Sequence, residues 1–201
     1  RDLRMSRGLG DVYKRQEQLY VTYMDGPFTY GPFSAAMREN FPKEVEDATI
    51  LRDMGTNVFY NGNVRLTEST IYADEHLFST LGLKLLIGKA EELTRPDVLF
   101  ISRSLAEKMG GIEKVEGLTI IPDENPGLEV TIGGVFEDLP QNASLRYDML
   151  VAMSGMDPES LNNWLGNDRY AGYVRLSPGV TPDSLTPAIH DMTLRHHDQE
   201  A

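Results

Sequence analysis

Four histidines are the side chains of this chain best suited to bind a metal ion or to move a proton near neutral pH. They are His76, His190, His196 and His197. His196 and His197 are adjacent, so a helix would point them to different sides. His190 precedes His197 by two helical turns, which is too far for both to bind one ion. The spacing therefore predicts histidines on the surface or at a frayed helix end, and no metal site.

Two serines, Ser102 and Ser104, are the candidates for a nucleophile. Neither lies in the Gly-x-Ser-x-Gly turn that exposes the nucleophile of many hydrolases. Both instead follow a short apolar run and precede a helical pattern, and Ser104 and Glu107 have the spacing of a capping box. The sequence favours helix capping by Ser102 or Ser104, and it predicts no catalytic residue and no enzyme.

Two further motifs are typical of ligand binding but are incomplete. Asp123, Glu124 and Asn125 precede Pro126 and Gly127 without the alternating ligands of an EF-hand, so we expect a polar turn. The Gly-Leu-Gly near the N-terminus follows no predicted strand and lacks a third glycine, and the chain has no phosphate-binding P-loop. The sequence therefore predicts no cofactor.

Composition excludes several classes of protein. The 201 residues carry a formal charge of −12 and include no cysteine. An acidic surface repels phosphate groups, so we expect no nucleic-acid partner. Without cysteine there is no thiol catalysis, disulfide or thiolate metal site. No apolar stretch is long enough to span a bilayer, because the best run, at 81–88, contains Lys84.

The opening stretch RDLRMSRGLGDVYKRQ differs from everything after it. It holds five basic and two acidic residues in an otherwise strongly acidic chain. No apolar segment follows it, as a signal peptide would require. The part SRGLGDVYKRQ resembles translated adapter sequence at the ends of metagenomic reading frames. We expect residues 1–16 to be a non-biological or disordered leader, and the gene to be a fragment.

The pattern of apolar residues predicts strands and short helices in mixed order, which is typical of an α+β fold. Strands are predicted at 19–24, 46–52, 98–102, 128–138, 145–153 and 171–177, with further extended pieces at 57–62, 64–73 and 83–88. Helices are predicted at 32–41, at 74–81, from Ser102 or Ser104 to Gly110, at 157–166, and from Thr181-Pro182 or Thr186-Pro187 onwards. The adjacent Gly133 and Gly134 predict a bulge or a close backbone approach.

Three phrases in series resemble one known family. They are FPKEVEDATILR at 41–52, IYADEHLFSTLGLKLLIGKAEELTRPDVLFISRSLAEKMGG at 71–111 and VTIGGVFEDLPQNASLRYDMLVAM at 130–153. In this order and spacing they resemble the MacB-like periplasmic core domain of FtsX-type ABC transporter permeases, in versions most similar to those of Bacteroidetes. Small departures occur at Met109-Gly110 and at Gly117, where turn and core residues differ from the usual ones.

The resemblance implies an architecture. A porter-like mixed α/β subdomain would be built from residues 17–64 and 140–201, and a smaller α+β subdomain at 65–139 would be inserted into it. The domain would lie on the periplasmic side of the inner membrane, between transmembrane segments of a permease.

The resemblance also implies a function and partners. The domain would be non-catalytic and would couple ATP-driven conformational change to export, lipoprotein release or mechanical signalling. Its partners would be an ABC ATPase and a second permease, in a homodimer or heterodimer. Exposed loops at DENPG and QNAS are candidates for contact with a partner. The alternative is a free-standing soluble module that binds a peptide or a lipid.

Overall fold

The computed structural model of the chain describes residues 4–7, 18–23, 28–139, 146–166 and 169–200. The described residues group into two compact units. The first is drawn from Arg1–Leu51, Ser79–Gly82 and Asp157–Ala201, and the second from Arg52–Phe78 and Leu83–Met156. The family resemblance implies divisions at other positions, after residues 64 and 139, and the porter-like and inserted halves stay a prediction.

Strands and helices alternate irregularly along the chain, so the fold is α+β. The strands are β1 (Arg4–Arg7), β2 (Leu19–Tyr23), β3 (Val45–Asn61), β4 (Val64–Ala73), β5 (Leu85–Ile87), β6 (Val98–Ser102), β7 (Thr119–Pro122), β8 (Val130–Phe136), β9 (Met149–Ala152) and β10 (Ala171–Leu176). The helices are α1 (Phe33–Asn40), α2 (Leu77–Leu81), α3 (Arg103–Lys108), α4 (Pro158–Leu161) and α5 (Pro182–Glu200), with short 3-10 helices at Ala90–Thr94 and Met153–Gly155.

Strand β10 is central to the sheet of the first unit. It runs antiparallel to β2 on one side and to the beginning of β3 on the other, with Val174 opposite both Tyr20 and Ala48. Strand β1 pairs antiparallel with β2. The pairing brings residues 4–7 of the opening stretch beside β2, and the assignment of residues 1–16 as a non-biological or disordered leader stays a prediction. An edge strand pairs through backbone N–H and C=O groups, so its side chains gave no signal. The rest of that leader lies outside the described residues.

Helices α1 and α5 bury their apolar sides in one cluster with β10. Phe33 and Met37 on α1 are fully buried, as their spacing of four residues predicts. Leu185, Ile189 and Met192 on α5 are buried in the same cluster, at the spacing of one helix face.

Helix α5 begins at Pro182 and contains Pro187 in its interior, which decides between the two starts that the sequence leaves open. A proline in the first turn removes no helical hydrogen bond, whereas Pro187 lacks the N–H that would bond the carbonyl of Asp183. Asp183 is exposed, so its carbonyl is accessible to water and the helix can continue past the proline.

The helix predicted over 157–166 is shorter than expected and ends at Leu161. Two asparagine side chains bond the backbone here: Asn162 donates to the carbonyl of Pro158 at 2.8 Å, and Asn163 accepts from the N–H of Leu165 at 2.8 Å. Side chains that offer the backbone such bonds compete with the helix, which explains the early end.

The residues around this short helix follow the prediction only in part. Asp157 caps α4, because its carboxylate accepts from the N–H of Glu159 at 3.0 Å. Trp164 is buried, whereas the next residue, Leu165, is 55% exposed. Without a helix through both residues, nothing directs their side chains to one face.

Strand β9 is central to the sheet of the second unit. It runs parallel to β4 and antiparallel to β6, and β6 runs parallel to β8, which pairs antiparallel with β5. Every residue of β6 is buried, which confirms the buried strand predicted from the apolar run at 98–102. Strand β7 pairs with both β3 and β8.

Two strands differ in length from their predictions. Strand β3 is continuous through the predicted break between 52 and 57, where Gly55 takes a φ of 66° that permits a local kink. Strand β9 is limited to Met149–Ala152 instead of 145–153. Met149, Leu150 and Ala152 are all buried, so the predicted single-face alternation is wrong; Leu145 lies outside the described residues.

Gly133 and Gly134 lie both at a bulge and at a close backbone approach, the two alternatives that the sequence predicts. The pairing of β6 with β8 shifts register between Leu99 and Phe100, which is a bulge or irregularity next to the glycines. A Cβ on Gly134 would lie 2.6 Å from the carbonyl oxygen of Ile87, and one on Gly133 would lie 2.6 Å from a methyl carbon of Val98. The backbone approach is therefore too close for any larger residue.

Candidate functional site

A polar pocket of about 350 Å³ lies in the second unit where β6 passes into α3. Its polar lining comes from Ser102, Ser104, Lys108, Asp138, Arg146 and Asp148. Both candidate serines of the sequence therefore lie in one pocket, together with two carboxylates and two basic side chains.

Ser102 is fixed in this pocket by two hydrogen bonds. Its hydroxyl donates to the carboxylate of Asp148 at 2.9 Å and accepts from the backbone N–H of Leu105 at 3.2 Å. The second bond caps helix α3, and Ser102 is therefore the capping residue that the sequence left open between two serines. The backbone N–H of Ser102 also donates to the carbonyl of Asp148 at 2.9 Å.

Ser104 bonds a different carboxylate. Its hydroxyl donates to Asp138 at 2.5 Å, and its backbone N–H donates to the other oxygen of Asp138 at 2.8 Å. Nucleophilic serine chemistry needs a base that removes the hydroxyl proton, usually a histidine that a third group orients. The described residues that line the pocket include no histidine, and the hydrogen bonds of the two serines join the start of α3 to Asp138 and Asp148.

A third carboxylate near this pocket has an altered acidity. Burial raises the pKa of Glu68 above its usual value, the charge of Asp148 raises it further, and the charge of Lys108 partly opposes both effects. Glu68 is half-buried.

Two of the four histidines, His196 and His197, contact aromatic rings near the end of α5. The His196 ring stacks on the indole of Trp164, and the His197 ring meets the edge of Tyr30. His197 Nε2 lies 3.0 Å from the carbonyl oxygen of Trp164, so this nitrogen carries the proton and donates. Adjacent histidines thus reach one tryptophan, because one contacts its ring and the other its backbone.

Of the two remaining histidines, His190 lies on α5 in the first unit and His76 lies in the second unit. His76 Nε2 lies 3.4 Å from a carboxylate oxygen of Glu75. In the part of the chain that the structure describes, no three histidine, aspartate or glutamate side chains are grouped as a metal site would require.

A second pocket, of about 200 Å³, is an apolar cleft in the same unit. Phe59, Leu99, Val130 and Val151 form its apolar wall, and all but Val151 are buried. Met54 and Leu128, two large apolar side chains, line the open side of the cleft, called its mouth below, and each is 41% exposed. Sequence reasoning missed this cleft, because its residues come from six separate strands and one loop.

One wall of this apolar cleft is the turn that the sequence singled out at DENPG. The N–H of Asn125 donates to the carbonyl of Pro122 at 3.2 Å, and the N–H of Leu128 donates to the carbonyl of Asn125 at 3.0 Å. Glu124 and Asn125 line the cleft. The expected polar turn is confirmed, and it brings a carboxylate beside the apolar cavity. The other loop named there, QNAS, lies outside the described residues.

Comparison with known protein families adds to this geometry. The profile of the MacB-like periplasmic core domain matches residues 4–192. The chain belongs to this family. The match begins at Arg4, so it includes part of the opening stretch that the sequence set apart. No curated protein matched the chain.

Solved structures of MacB-like periplasmic domains and related permeases share the fold. A domain of a putative permease from Porphyromonas gingivalis is 37% identical, with a TM-score of 0.83, over 94% of this chain and 88% of that one. The periplasmic region of MacB from Actinobacillus actinomycetemcomitans is 16% identical, with a TM-score of 0.61, over 98% and 83% of the two chains.

A third structure extends this likeness to Gram-positive bacteria. The extracellular domain of the ABC-type transporter YknZ is 14% identical, with a TM-score of 0.56, over 85% of this chain and 84% of that one. Membership of the family makes the present chain a periplasmic domain of the MacB-like ABC permease type. Within the described ranges, no helix is both long and apolar enough to cross a bilayer.

Proposed function

We propose that this chain is the non-catalytic coupling domain of an ABC transporter permease. It conveys a conformational change driven by ATP on the other side of the membrane to export, lipoprotein release or mechanical signalling in the periplasm. Its partners are an ABC ATPase, reached through transmembrane segments of the permease, and a second permease as homodimer or heterodimer. The porter-like half at 17–64 and 140–201 and the insert at 65–139 belong to this proposal.

The observation that carries the proposal is the set of strands and helices that make up the first unit. This unit contains the earliest and the latest described elements of the chain, β1 and β2 as well as α5. Tyr20 on β2 and Ile189 and Met192 on α5 lie in one apolar cluster. Membrane segments attached at either end would therefore pull on a single packed body, which is what a coupling domain needs.

The chemistry of the polar pocket supports a non-catalytic role. Ser102 and Ser104 each donate to an aspartate, and the described lining residues include no histidine that could activate either hydroxyl. Hydrolysis of an ester or peptide that is lost in Ser104→Ala would contradict this part of the proposal.

The test is a distance measurement in the intact permease with its ATPase. The chain has no native cysteine, so a single spin label can be placed on the exposed Asp183→Cys of the first unit or on the exposed Lys114→Cys of the second. Pulsed electron resonance between two permease copies should give different distance distributions without nucleotide and with bound ATP. An ATPase that binds but does not hydrolyse ATP distinguishes binding from turnover. Identical distributions in all states would refute coupling.

The alternative, a free-standing soluble peptide- or lipid-binding module, is favoured by one feature, the apolar cleft with its exposed mouth. Such a module would bind its ligand alone and would not assemble with an ATPase. Co-purification of the labelled permease with its ATPase, followed by the nucleotide-dependent distances above, separates the two functions.

A further inference from the structure

We infer that the apolar cleft of the second unit is a docking socket for a polypeptide segment that inserts one large apolar side chain beside a lysine or arginine. Such a segment would belong to a client or accessory protein in the same compartment. The inference concerns binding by the domain itself and does not depend on the coupling proposed above.

The size of the cleft restricts its occupant. Its volume of about 200 Å³ is below the roughly 300–1,000 Å³ of pockets that enclose whole small-molecule ligands. A cavity of this size accommodates one large side chain. The apolar wall formed by Phe59, Leu99 and Val151 suits a leucine, methionine or aromatic anchor, which is the kind of residue that dominates binding at protein interfaces.

The mouth of the cleft has the character of an interface. Six large apolar side chains are exposed among the described residues, and two of them, Met54 and Leu128, line this one cavity. Exposed apolar side chains that adjoin a concave site mark places where a partner covers them. Methionine is unbranched and adapts to differently shaped partners, so Met54 suits a rim that closes around an inserted side chain.

Charge favours a basic polypeptide over a lipid. Glu124 is the one charged side chain among the residues that line the cleft. The wall from Pro122 to Val130 also carries Asp123 and Glu129 and contains no basic residue. This acidic wall attracts a lysine or arginine next to the anchor and repels a fatty-acid or phospholipid headgroup.

The polar groups of the rim are also suited to a peptide backbone. The amide side chains of Asn57 and Asn125 line the cleft; Asn57 Nδ2 donates to the carbonyl of Met54 at 3.0 Å, which leaves its side-chain oxygen to accept from a peptide. Amides both donate and accept hydrogen bonds, as a peptide backbone requires, whereas an acyl chain offers no group to match them.

The first experiment uses the 201-residue chain and three synthetic peptides. The probe is acetyl-Gly-Lys-Phe-Lys-Gly-amide, and its controls replace phenylalanine by alanine or both lysines by glutamate. The Met54 methyl group reports binding by NMR. We expect a saturable shift with the probe, binding at least about tenfold weaker with alanine, because the anchor supplies most of the buried apolar area, and weaker binding with glutamate. No shift of Met54 at millimolar probe would overturn the inference.

Dodecanoate is the probe for the competing lipid occupant. If dodecanoate shifts the Met54 methyl group and the lysine peptide does not, the socket is a lipid site and the inference is wrong. If the lysine peptide binds and dodecanoate does not displace it, the inference stands. Neither result bears on the nucleotide-dependent distances of the permease, so failure here is distinguishable from failure of the coupling function.

Matched variants locate the peptide on the cleft. Leu128→Ser should weaken probe binding several-fold, whereas Leu165→Ser, at an exposed leucine of the other unit, should leave it unchanged. Glu124→Gln should weaken binding and reduce its dependence on salt, whereas Glu113→Gln, at an exposed glutamate outside the cleft, should do neither. All four positions are at the surface, so loss of folding is not expected. Equal effects of Leu128→Ser and Leu165→Ser would contradict a specific socket.

Discussion

The imidazole ring of His196 stacks on the indole ring of Trp164, with centroids 4.2 Å apart and ring planes within 4° of parallel. Trp164 also meets the ring of Tyr30 at 5.7 Å, and its carbonyl oxygen accepts from His197 at 3.0 Å. Trp164 is therefore held from three directions, and through it the last turns of α5 are fastened to the segment that follows α4.

The first prediction concerns this tryptophan. Trp164→Ala should lower the free energy of unfolding by about 3–5 kcal/mol, because it removes a large buried side chain and leaves a cavity. His196→Ala should cost about 1 kcal/mol, the usual value of one aromatic pair. Chemical denaturation followed by circular dichroism measures both.

Arg195 provides the control for the histidine variant, since it is the exposed neighbour on the same helix. Arg195→Ala should change stability by less than about 0.5 kcal/mol. Trp164 is the single tryptophan of the chain, so its fluorescence reports the cluster directly. If His196→Ala and Arg195→Ala had equal effects on stability and fluorescence, the stacking would contribute nothing to the attachment of α5.

The second prediction concerns the close backbone approach at Gly134. Gly134→Ala should cost at least about 2 kcal/mol, because the new Cβ would lie 2.6 Å from the carbonyl oxygen of Ile87 and 3.1 Å from the ring of Phe100. The oxygen belongs to the backbone of β5 and cannot turn away as a side chain can. Thermal or urea unfolding would show the loss.

The matched control is Gly127→Ala in the turn that forms one wall of the cleft. Its nearest neighbour would be the side-chain oxygen of Asn125, 3.8 Å from the new Cβ, which is an ordinary contact. We expect a change within about 0.5 kcal/mol. A Gly134→Ala protein as stable as Gly127→Ala would show that β5 moves freely away from β8.

The third prediction concerns the acidity of Glu68. Its pKa in the folded chain is raised by burial and by Asp148, so ionisation of Glu68 opposes folding. Glu68→Gln should therefore raise the free energy of unfolding near pH 7. Because Glu68 is partly exposed and water screens its charge, the gain should stay below about 1 kcal/mol.

The raised pKa of Glu68 determines how the stability gain of Glu68→Gln depends on pH. The folded chain binds the Glu68 proton more tightly than the unfolded chain, so the stabilisation from protonated Glu68 is complete below the ordinary pKa of 4.5 and is lost as pH rises through the raised value. The advantage of Glu68→Gln should vanish on acidification toward pH 4.5. An advantage that persists there, or one matched by the exposed control Glu116→Gln, would contradict burial and Asp148 as its cause.

Much of the fold could be predicted because local sequence chemistry determines it. The apolar run at 98–102 became the fully buried β6, and Ser102 caps the helix after it. Gly133 and Gly134 mark the close approach of neighbouring strands. In each case the residue types restrict the local conformation, although the choice between Ser102 and Ser104 as the cap needed the structure.

The sequence predictions failed where contacts between residues far apart in the chain determine the structure. Strand β9 is covered on both faces, so its alternation did not indicate one buried side, and α4 ended where asparagine side chains bonded the backbone. The apolar cleft was not foreseeable from spacing, because Met54 and Leu128 are 74 positions apart in the chain and meet only through the sheet. His196 and Trp164 likewise have no local relationship in the sequence.

The division of the chain into units has a consequence for how such domains diversify. The chain passes from one unit to the other after Leu51, Phe78, Gly82 and Met156. The first of these positions is inside β3 and the second is inside α2. A gene crossover at any single point would thus join mismatched halves of a strand, a helix or a core. Relatives can exchange loops such as the acidic turn at the cleft, but the units themselves must be inherited together.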